Sequence, residues 1–149
     1  MRNFLKQAVL TAFTVLLFSN VHAQLKLDNA TCNTIYVAVK CHDANYTTCG
    51  SIESDFFAIA PYSSLTFANT SSLGVCYAPG VGSTYTPQNT QNWDGCMVEV
   101  FYNSIPKKGT MGCGSSDWHD PNYLSCAGYD FGVQRIMSGS LTVFYFTYF

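Results

Sequence analysis

Charged side chains are scarce in this sequence: Asp, Glu, Lys and Arg make up 11% of its 149 residues. Lys107-Lys108 is the only pair of adjacent basic residues in the sequence. Proteins that bind nucleic acid use clusters of Lys and Arg to neutralise phosphates, so the composition argues against a nucleic-acid partner. Aromatic residues are plentiful at 15%, which indicates a chain that buries a core and excludes an intrinsically disordered one.

Long apolar runs are also missing, with one exception near the N-terminus. Residues 8–18 form an apolar run of about 11 residues, roughly half of the 20 that a membrane-spanning helix requires. The basic residues Arg2 and Lys6 precede this run, and the small-residue site Val21-His22-Ala23 follows it. This order is typical of a secretory signal peptide over residues 1–23. We therefore expect a secreted or periplasmic protein with no stable membrane insertion.

The expected mature chain, residues 24–149, has the length of one domain with a core of its own. Loss of Arg2 and Lys6 leaves five basic residues against nine acidic ones, so its net charge is about −4. Outside the signal, no apolar period of 3.6 residues extends over a helical length, and a short turn of helix over 51–55 is the most that the pattern allows. The chain is therefore predicted to be all-β.

The strongest strand candidate is the last ten residues, Ser140 to Phe149, which are dense in β-branched and aromatic types. Both of its faces are largely apolar, which predicts a central strand covered on both sides. The remaining strand candidates are short runs bounded by Gly, Pro or Asn: 25–27 as an edge strand, 35–39, 56–60 and 64–67 as a hairpin, 74–77 and 97–102. About seven short strands predict a small disulfide-stapled β-sandwich, with an immunoglobulin-like one as a candidate type.

All seven cysteines lie in the expected mature chain, where an oxidising compartment favours disulfides. Proximity along the sequence favours three bridges, Cys41–Cys49, Cys76–Cys96 and Cys113–Cys126. Cys32 is then the unpaired cysteine. Each bridge is expected to stabilise the fold by about 2–4 kcal/mol, less where the closed loop is short.

Two long connections, residues 78–95 and 103–132, each carry one of the two tryptophans. Long ordered loops on a β scaffold are where binding residues concentrate. An indole ring stacks on the apolar face of a sugar, while carboxylates and amides beside it bind hydroxyl groups. The candidate ligand-binding residues are Trp93, Asp94, Trp118, Asp120 and Asn122. The competing interpretation, that both indoles fill the ends of the sandwich core, stays open.

The leading hypothesis is therefore a secreted, non-catalytic binding or surface protein whose ligand is a glycan or a protein and which requires no cofactor. One alternative is a small secreted hydrolase using His42 or His119, because each histidine is followed by an acid. No G-x-S-x-G motif supports this alternative, so an enzyme is the less favoured class. Another is a structural subunit that pairs through its C-terminal strand or a spare cysteine.

Metal binding is a weaker hypothesis at two places in the sequence. Cys41-His42 with Cys49 offers soft ligands, although exported cysteines pair with each other more often than they bind zinc. Asp117, Asp120 and Asn122 offer oxygen ligands for calcium, but their spacing is not that of a known calcium loop. We therefore predict no metal site from the sequence.

Overall fold

The computed structural model describes residues 24–80, 84–102, 105–124 and 130–148, without the side chains of Tyr102 and residues 121–124. The predicted signal peptide and Cys126 lie outside the described residues. Within the described part, no helix is long and apolar enough to cross a membrane.

The described residues form eleven strands and one short 3-10 helix at Thr70–Leu73. The strands are β1 (Leu25–Asn29), β2 (Ile35–Cys41), β3 (Ile52–Ser54), β4 (Phe57–Ile59), β5 (Ser63–Phe67), β6 (Cys76–Tyr77), β7 (Trp93–Tyr102), β8 (Ile105–Met111), β9 (Asp117–Leu124), β10 (Asp130–Ser138) and β11 (Leu141–Tyr148).

These strands make two sheets that pack face to face. The first sheet has the order β5-β1-β11-β10-β9, and the second has the order β6-β3-β2-β7-β8, with β4 also pairing with β2. Inward-facing Val, Leu, Ile and Phe side chains from both sheets form one core. The prediction of a small all-β, disulfide-stapled sandwich is confirmed, with more strands among the described residues than the sequence indicated.

The C-terminal strand β11 lies inside the first sheet, as predicted. It pairs in parallel with β1 and antiparallel with β10. Phe144 and Phe146 are fully buried in the core, whereas Val143 and Tyr145 on the outer face are half-buried. The expectation that both faces are covered is therefore wrong, because the sandwich has only two layers. Both edges of β11 are occupied, so this strand offers no free edge for pairing with another chain.

Three predictions for residues 25–67 are wrong. The run at 25–27 is not an edge strand, because β1 lies between β5 and β11. The runs at 56–60 and 64–67 do not form a hairpin: β4 pairs with β2 in the second sheet, and β5 pairs with β1 in the first. The turn between them carries the chain from one sheet to the other. Residues 51–55 contain strand β3 in place of a helical turn.

The segment 103–132 is not one long loop, because most of it forms β8, β9 and the start of β10. Both β8 and β9 lie at sheet edges. Their sequences, with Pro106, Lys107 and Lys108 in one and Asp117, Asp120 and Pro121 in the other, lack the apolar alternation of an inner strand. Proline and charge are tolerated at an edge, where one side of the backbone needs no partner strand.

The cysteine pairing differs from the one predicted by proximity. Cys49 is bonded to Cys113, 64 positions away, so the expected Cys41–Cys49 and Cys113–Cys126 bridges are wrong. Cys76 and Cys96 are buried free thiols, as is Cys41, so the Cys76–Cys96 bridge is wrong too. Cys32, expected to be unpaired, is in a disulfide. Cys41 and Cys49 are close in sequence but do not pair, because Cys41 points into the core while Cys49 lies on an exposed loop. The Cys49–Cys113 disulfide indicates an oxidising, non-cytoplasmic compartment.

Candidate functional site

A β-bulge in β7 sets the position of Asp94. Lys40 pairs with Gly95 while its neighbour Cys41 pairs with Trp93, so Asp94 is an extra residue with no partner on β2. A bulge of this kind redirects a side chain out of the strand's regular alternation. The Asp94 carboxylate turns towards the end of β2, where the chain leaves the sheet at His42.

His42 and Asp94 form the most polar pair on this end of the sandwich. Nδ1 of His42 donates to Asp94, at 2.8 Å from both carboxylate oxygens. Oδ2 of Asp94 also accepts a 2.6 Å hydrogen bond from the backbone N–H of Gly50. Asp94 is buried, while the His42 side chain is partly exposed. The carboxylate therefore fixes the orientation of an imidazole ring that solutes can reach.

The Cys49–Cys113 disulfide lies against this pair. Sγ of Cys49, a ring nitrogen of His42 and a carboxylate oxygen of Asp94 are all within 4.8 Å of one another. Both cysteines are exposed. The bridge ties the loop at 42–51 to the turn between β8 and β9, which runs from the second sheet to the first.

Arg135 connects the two sheets behind the same site. Its guanidinium, on β10 of the first sheet, donates to the backbone carbonyl of Asp94 on β7 of the second. The guanidinium carbon also lies 5.5 Å from the centre of the Phe144 ring, within the range of a cation–π contact. The bulge is therefore held from both sides, by Gly50 and by Arg135.

Asp43, next to His42, accepts hydrogen bonds from two segments, residues 45–46 and residues 85–88. Its Oδ1 accepts from the backbone N–H groups of Asn45 and Tyr46, and its Oδ2 accepts from Gln88 N and Tyr85 Oη. Burial alone would raise the pKa of this carboxyl. The four hydrogen bonds outweigh burial, so that the pKa of Asp43 lies below its ordinary value of 3.8.

Because its pKa is lower in the folded state, Asp43 stabilises the fold above its ordinary pKa of 3.8. That stabilisation is lost as the pH falls through the lower pKa of the folded state. We expect Asp43→Asn to be less stable than the native protein by about 1–3 kcal/mol at pH 7, since an amide N–H would face the Gln88 N–H. Below about pH 3.8 the difference in stability between Asp43→Asn and the native protein becomes smaller.

Urea unfolding at pH 7 and pH 3 measures the effect of Asp43→Asn. Asp55→Asn, a change at an exposed acid, serves as the matched control and should change stability little at either pH. A stability difference for Asp43→Asn that stays the same between the two pH values contradicts the assigned role of the carboxylate.

A second feature lies on the outer face of the second sheet, where four residues line a cavity of about 320 Å³: Tyr36, Phe56, Glu99 and Phe101. Tyr36 is directly opposite Glu99 across β2 and β7. The Tyr36 and Phe101 rings meet edge to face, with 5.7 Å between their centres. The three aromatic side chains are 37–47% exposed, so their rings are accessible to a ligand.

The structure places the predicted ligand residues in different surroundings. Trp93 belongs to the core and is 7% exposed, and Asp94 is the buried bulge residue. Trp118 is half-buried and packs between the sheets, where it contacts Gly109 of β8 and the Phe131 ring of β10. Asp120 lies further along β9, and the side chain of Asn122 is outside the described part. A contact between these residues and a ligand stays a prediction.

The two metal hypotheses have different outcomes. Asp117 and Asp120 are three residues apart on strand β9, so their side chains point to opposite faces and do not converge on one ion. Cys41 points into the core and away from His42. His42 and Cys49 do lie close together, and Asp94 is the third member of their cluster. The sequence did not predict this role of Asp94. No signal in the sequence shows that a bulge would place it there.

Comparisons of the chain with protein-family models, with curated proteins and with solved structures found no match. The interpretation of both sites therefore depends on their geometry alone.

Proposed function

We propose that this chain is an exported, non-catalytic binding protein and that its ligand is a carbohydrate. The observation that supports this most is the cavity on the second sheet, which is lined by three aromatic residues and one glutamate. A volume of about 320 Å³ is within the range of roughly 300–1,000 Å³ found for small-molecule sites. The signal-like N-terminus and the disulfide support an extracellular or periplasmic location.

The chemistry of the cavity fits a pyranose ring. The Tyr36 and Phe101 rings are nearly perpendicular, so one ring stacks on the C–H groups of a sugar face while the other contacts the edge of the sugar. The Glu99 carboxylate accepts from hydroxyl groups and is held in place by Lys108, whose Nζ lies 3.2 Å away. Lys108 is exposed and adds hydrogen-bond donors at the rim. These are the interactions that the sequence led us to expect around Trp93 and Trp118, offered here by a different set of residues.

Binding to a glycan array, followed by titration with an oligosaccharide that binds, tests this function. We expect Tyr36→Ala and Phe101→Ala each to weaken binding about tenfold or more, because each removes an aromatic contact worth about 1.4 kcal/mol at that ratio. Met137→Ala removes an apolar side chain that is more exposed, at 72%, from the other sheet and should bind like the native protein.

Three results would contradict the carbohydrate site. The first is that the native protein binds no glycan, and the second is that the two aromatic variants bind as well as the native protein. The third is that Trp118→Ala alone abolishes binding while its thermal unfolding is unchanged, which would assign the contact to the 103–132 segment.

The His42–Asp94 pair favours one second candidate, a hydrolase. An acid-oriented imidazole is half of the arrangement that activates a nucleophile. Within the described residues the side-chain hydrogen bonds of His42 go to Asp94 alone, and the neighbouring sulfur of Cys49 is held in a disulfide. The pair therefore has an orienting acid but no hydrogen-bonded nucleophile, which makes hydrolysis the weaker candidate.

A further inference from the structure

The donors around His42 include the types that bind zinc. A ring nitrogen of His42, a carboxylate oxygen of Asp94 and the sulfur of Cys49 are mutually within 4.8 Å, and Cys113 contributes a second sulfur bonded to the first. We propose that reduction of the Cys49–Cys113 disulfide opens a tetrahedral zinc site formed by His42, Asp94, Cys49 and Cys113. The site lies six residues along the chain from Tyr36, about 20 Å at strand spacing, and is separate from the proposed carbohydrate site.

The donor atoms of His42, Asp94 and Cys49 require only small movements to bind one zinc ion. Zinc binds sulfur at about 2.3 Å and nitrogen or oxygen at about 2.0–2.2 Å, so tetrahedral ligands lie roughly 3.3–3.8 Å apart. The 4.8 Å limit on the present separations is therefore within about 1.5 Å of what zinc requires. The two sulfurs must separate once their bond is broken. Cys49 is on a loop and Cys113 is in the turn after β8, so neither movement disturbs a strand ladder.

The surroundings already orient two of the four ligands. The Gly50 N–H donates to Oδ2 of Asp94. Oδ1 accepts from the His42 ring, so it binds the cation when the ring proton moves from Nδ1 to Nε2 and the His42–Asp94 hydrogen bond opens. Hydrogen bonds of this kind around metal ligands fix their geometry and strengthen binding. The bulge at Asp94 is also held by the Arg135 guanidinium through its backbone carbonyl. The rigid half of the site is the His42–Asp94 pair, and the half that changes is the disulfide.

The other free thiols are poorly suited to metal binding. Cys41, Cys76 and Cys96 are buried, and burial raises the pKa of each, with nearby negative groups adding to the effect at Cys41 and Cys76. Zinc binds the thiolate, so thiols that stay protonated compete weakly. Cys49 and Cys113 are exposed residues, so a soluble reductant reaches their disulfide.

The chemistry is a two-electron exchange followed by metal binding. A dithiol reductant transfers two electrons and two protons to the disulfide, which gives two cysteine thiols and leaves the reductant as its own disulfide. Zinc then displaces the two thiol protons and binds both thiolates, the imidazole and the carboxylate. A disulfide oxidant then accepts two electrons from the two thiolates and leaves as its own thiols, which restores the Cys49–Cys113 bond and releases the ion. The site would therefore take up zinc under reducing conditions and release it under oxidising ones.

Zinc titration of the oxidised and the reduced protein by calorimetry tests the proposal. We expect one zinc ion per chain to bind the reduced protein at least 100-fold more tightly than the oxidised one. Cobalt(II) added to the reduced protein should show sulfur-to-metal charge-transfer absorption and the visible bands of tetrahedral coordination. His42→Gln should weaken zinc binding to the reduced protein at least tenfold, because it removes one ligand.

Two controls separate this site from unspecific thiol binding. His119→Gln changes the other histidine of the described part, on β9, and should bind zinc like the native protein. The double variant Cys49→Ser, Cys113→Ser keeps the other five cysteines and should bind no zinc after the same reduction. If circular dichroism shows that this variant is unfolded, the His42→Gln result decides. Equal zinc affinity of the oxidised and reduced native protein, or of His42→Gln and the native protein, overturns the proposal.

Discussion

Replacing Gly95 by alanine is expected to destabilise the protein by about 3 kcal/mol or more, one of the largest effects of a single methyl group in this chain. A Cβ at this position would lie 2.1 Å from the backbone carbonyl oxygen of Met111 on β8. No rotamer change relieves a contact with backbone, so β7 and β8 would have to move apart and lose hydrogen bonds. Chemical denaturation of the native protein and of Gly95→Ala measures the difference in the free energy of unfolding.

Gly112→Ala is the matched control for this prediction. Gly112 follows β8 only one residue after Met111, and a Cβ there would meet nothing within 4 Å. The same methyl group should therefore change the free energy of unfolding by no more than about 0.5 kcal/mol. If both variants are equally stable, the close approach of β7 and β8 at Gly95 is wrong.

The effect of Gly95→Ala should extend to the neighbouring site. Gly95 directly follows the bulge residue Asp94, so a shift of β7 moves the carboxylate away from His42 and Gly50. The close packing of two backbones at one end of the sheet thus supports the only described cluster of potential metal ligands. This dependence explains why a glycine with an ordinary backbone angle is required there.

The fold class followed from the sequence because its causes are local. The density of β-branched and aromatic residues at 140–149 predicts a strand, and β11 is one. In the run at 97–102, alternation assigned Val98 and Val100 to one face and Glu99 and Phe101 to the other. The structure buries the first pair and exposes Phe101. The alternation of side chains with a period of two residues therefore predicts which residues are buried where a strand has one buried face.

The features that the sequence could not show depend on which distant segments meet. The edge strands β8 and β9 have polar sequences, and only their neighbours make them strands. The Cys49–Cys113 bridge joins residues 64 positions apart, so proximity along the chain selected the wrong partners. The site at His42 depends on a single extra residue in β7, and an insertion of that kind leaves no mark in composition or periodicity.

The second large effect is expected at Asn29, a fully buried polar residue at the end of β1. Its Nδ2 donates to the carbonyls of Asn33, Ile59 and Ala60 at 2.8–3.1 Å, and its Oδ1 accepts from Thr31. Since β1 belongs to the first sheet and Ile59 ends β4 of the second, one amide side chain links the two layers. These hydrogen bonds connect the end of β1 to the end of β4 and the turn that follows it.

Asn29→Asp keeps the shape of this side chain but replaces its donors with an oxygen that faces three carbonyls. We expect a loss of about 3–5 kcal/mol at pH 7, since buried acceptors left unpaired cost about 1–3 kcal/mol each and the new charge is buried as well. Asn69→Asp is the control, because there the side chain caps the 3-10 helix only as an acceptor from Ser71 and Ser72, a role that aspartate fills equally well. Urea unfolding of both variants makes the comparison. A similar loss of stability in the two variants would mean that the donors of Asn29 do not hold the sheets together. A large loss of stability in Asn29→Asp alone shows that the donors of Asn29, and not the shape of its side chain, connect the two layers.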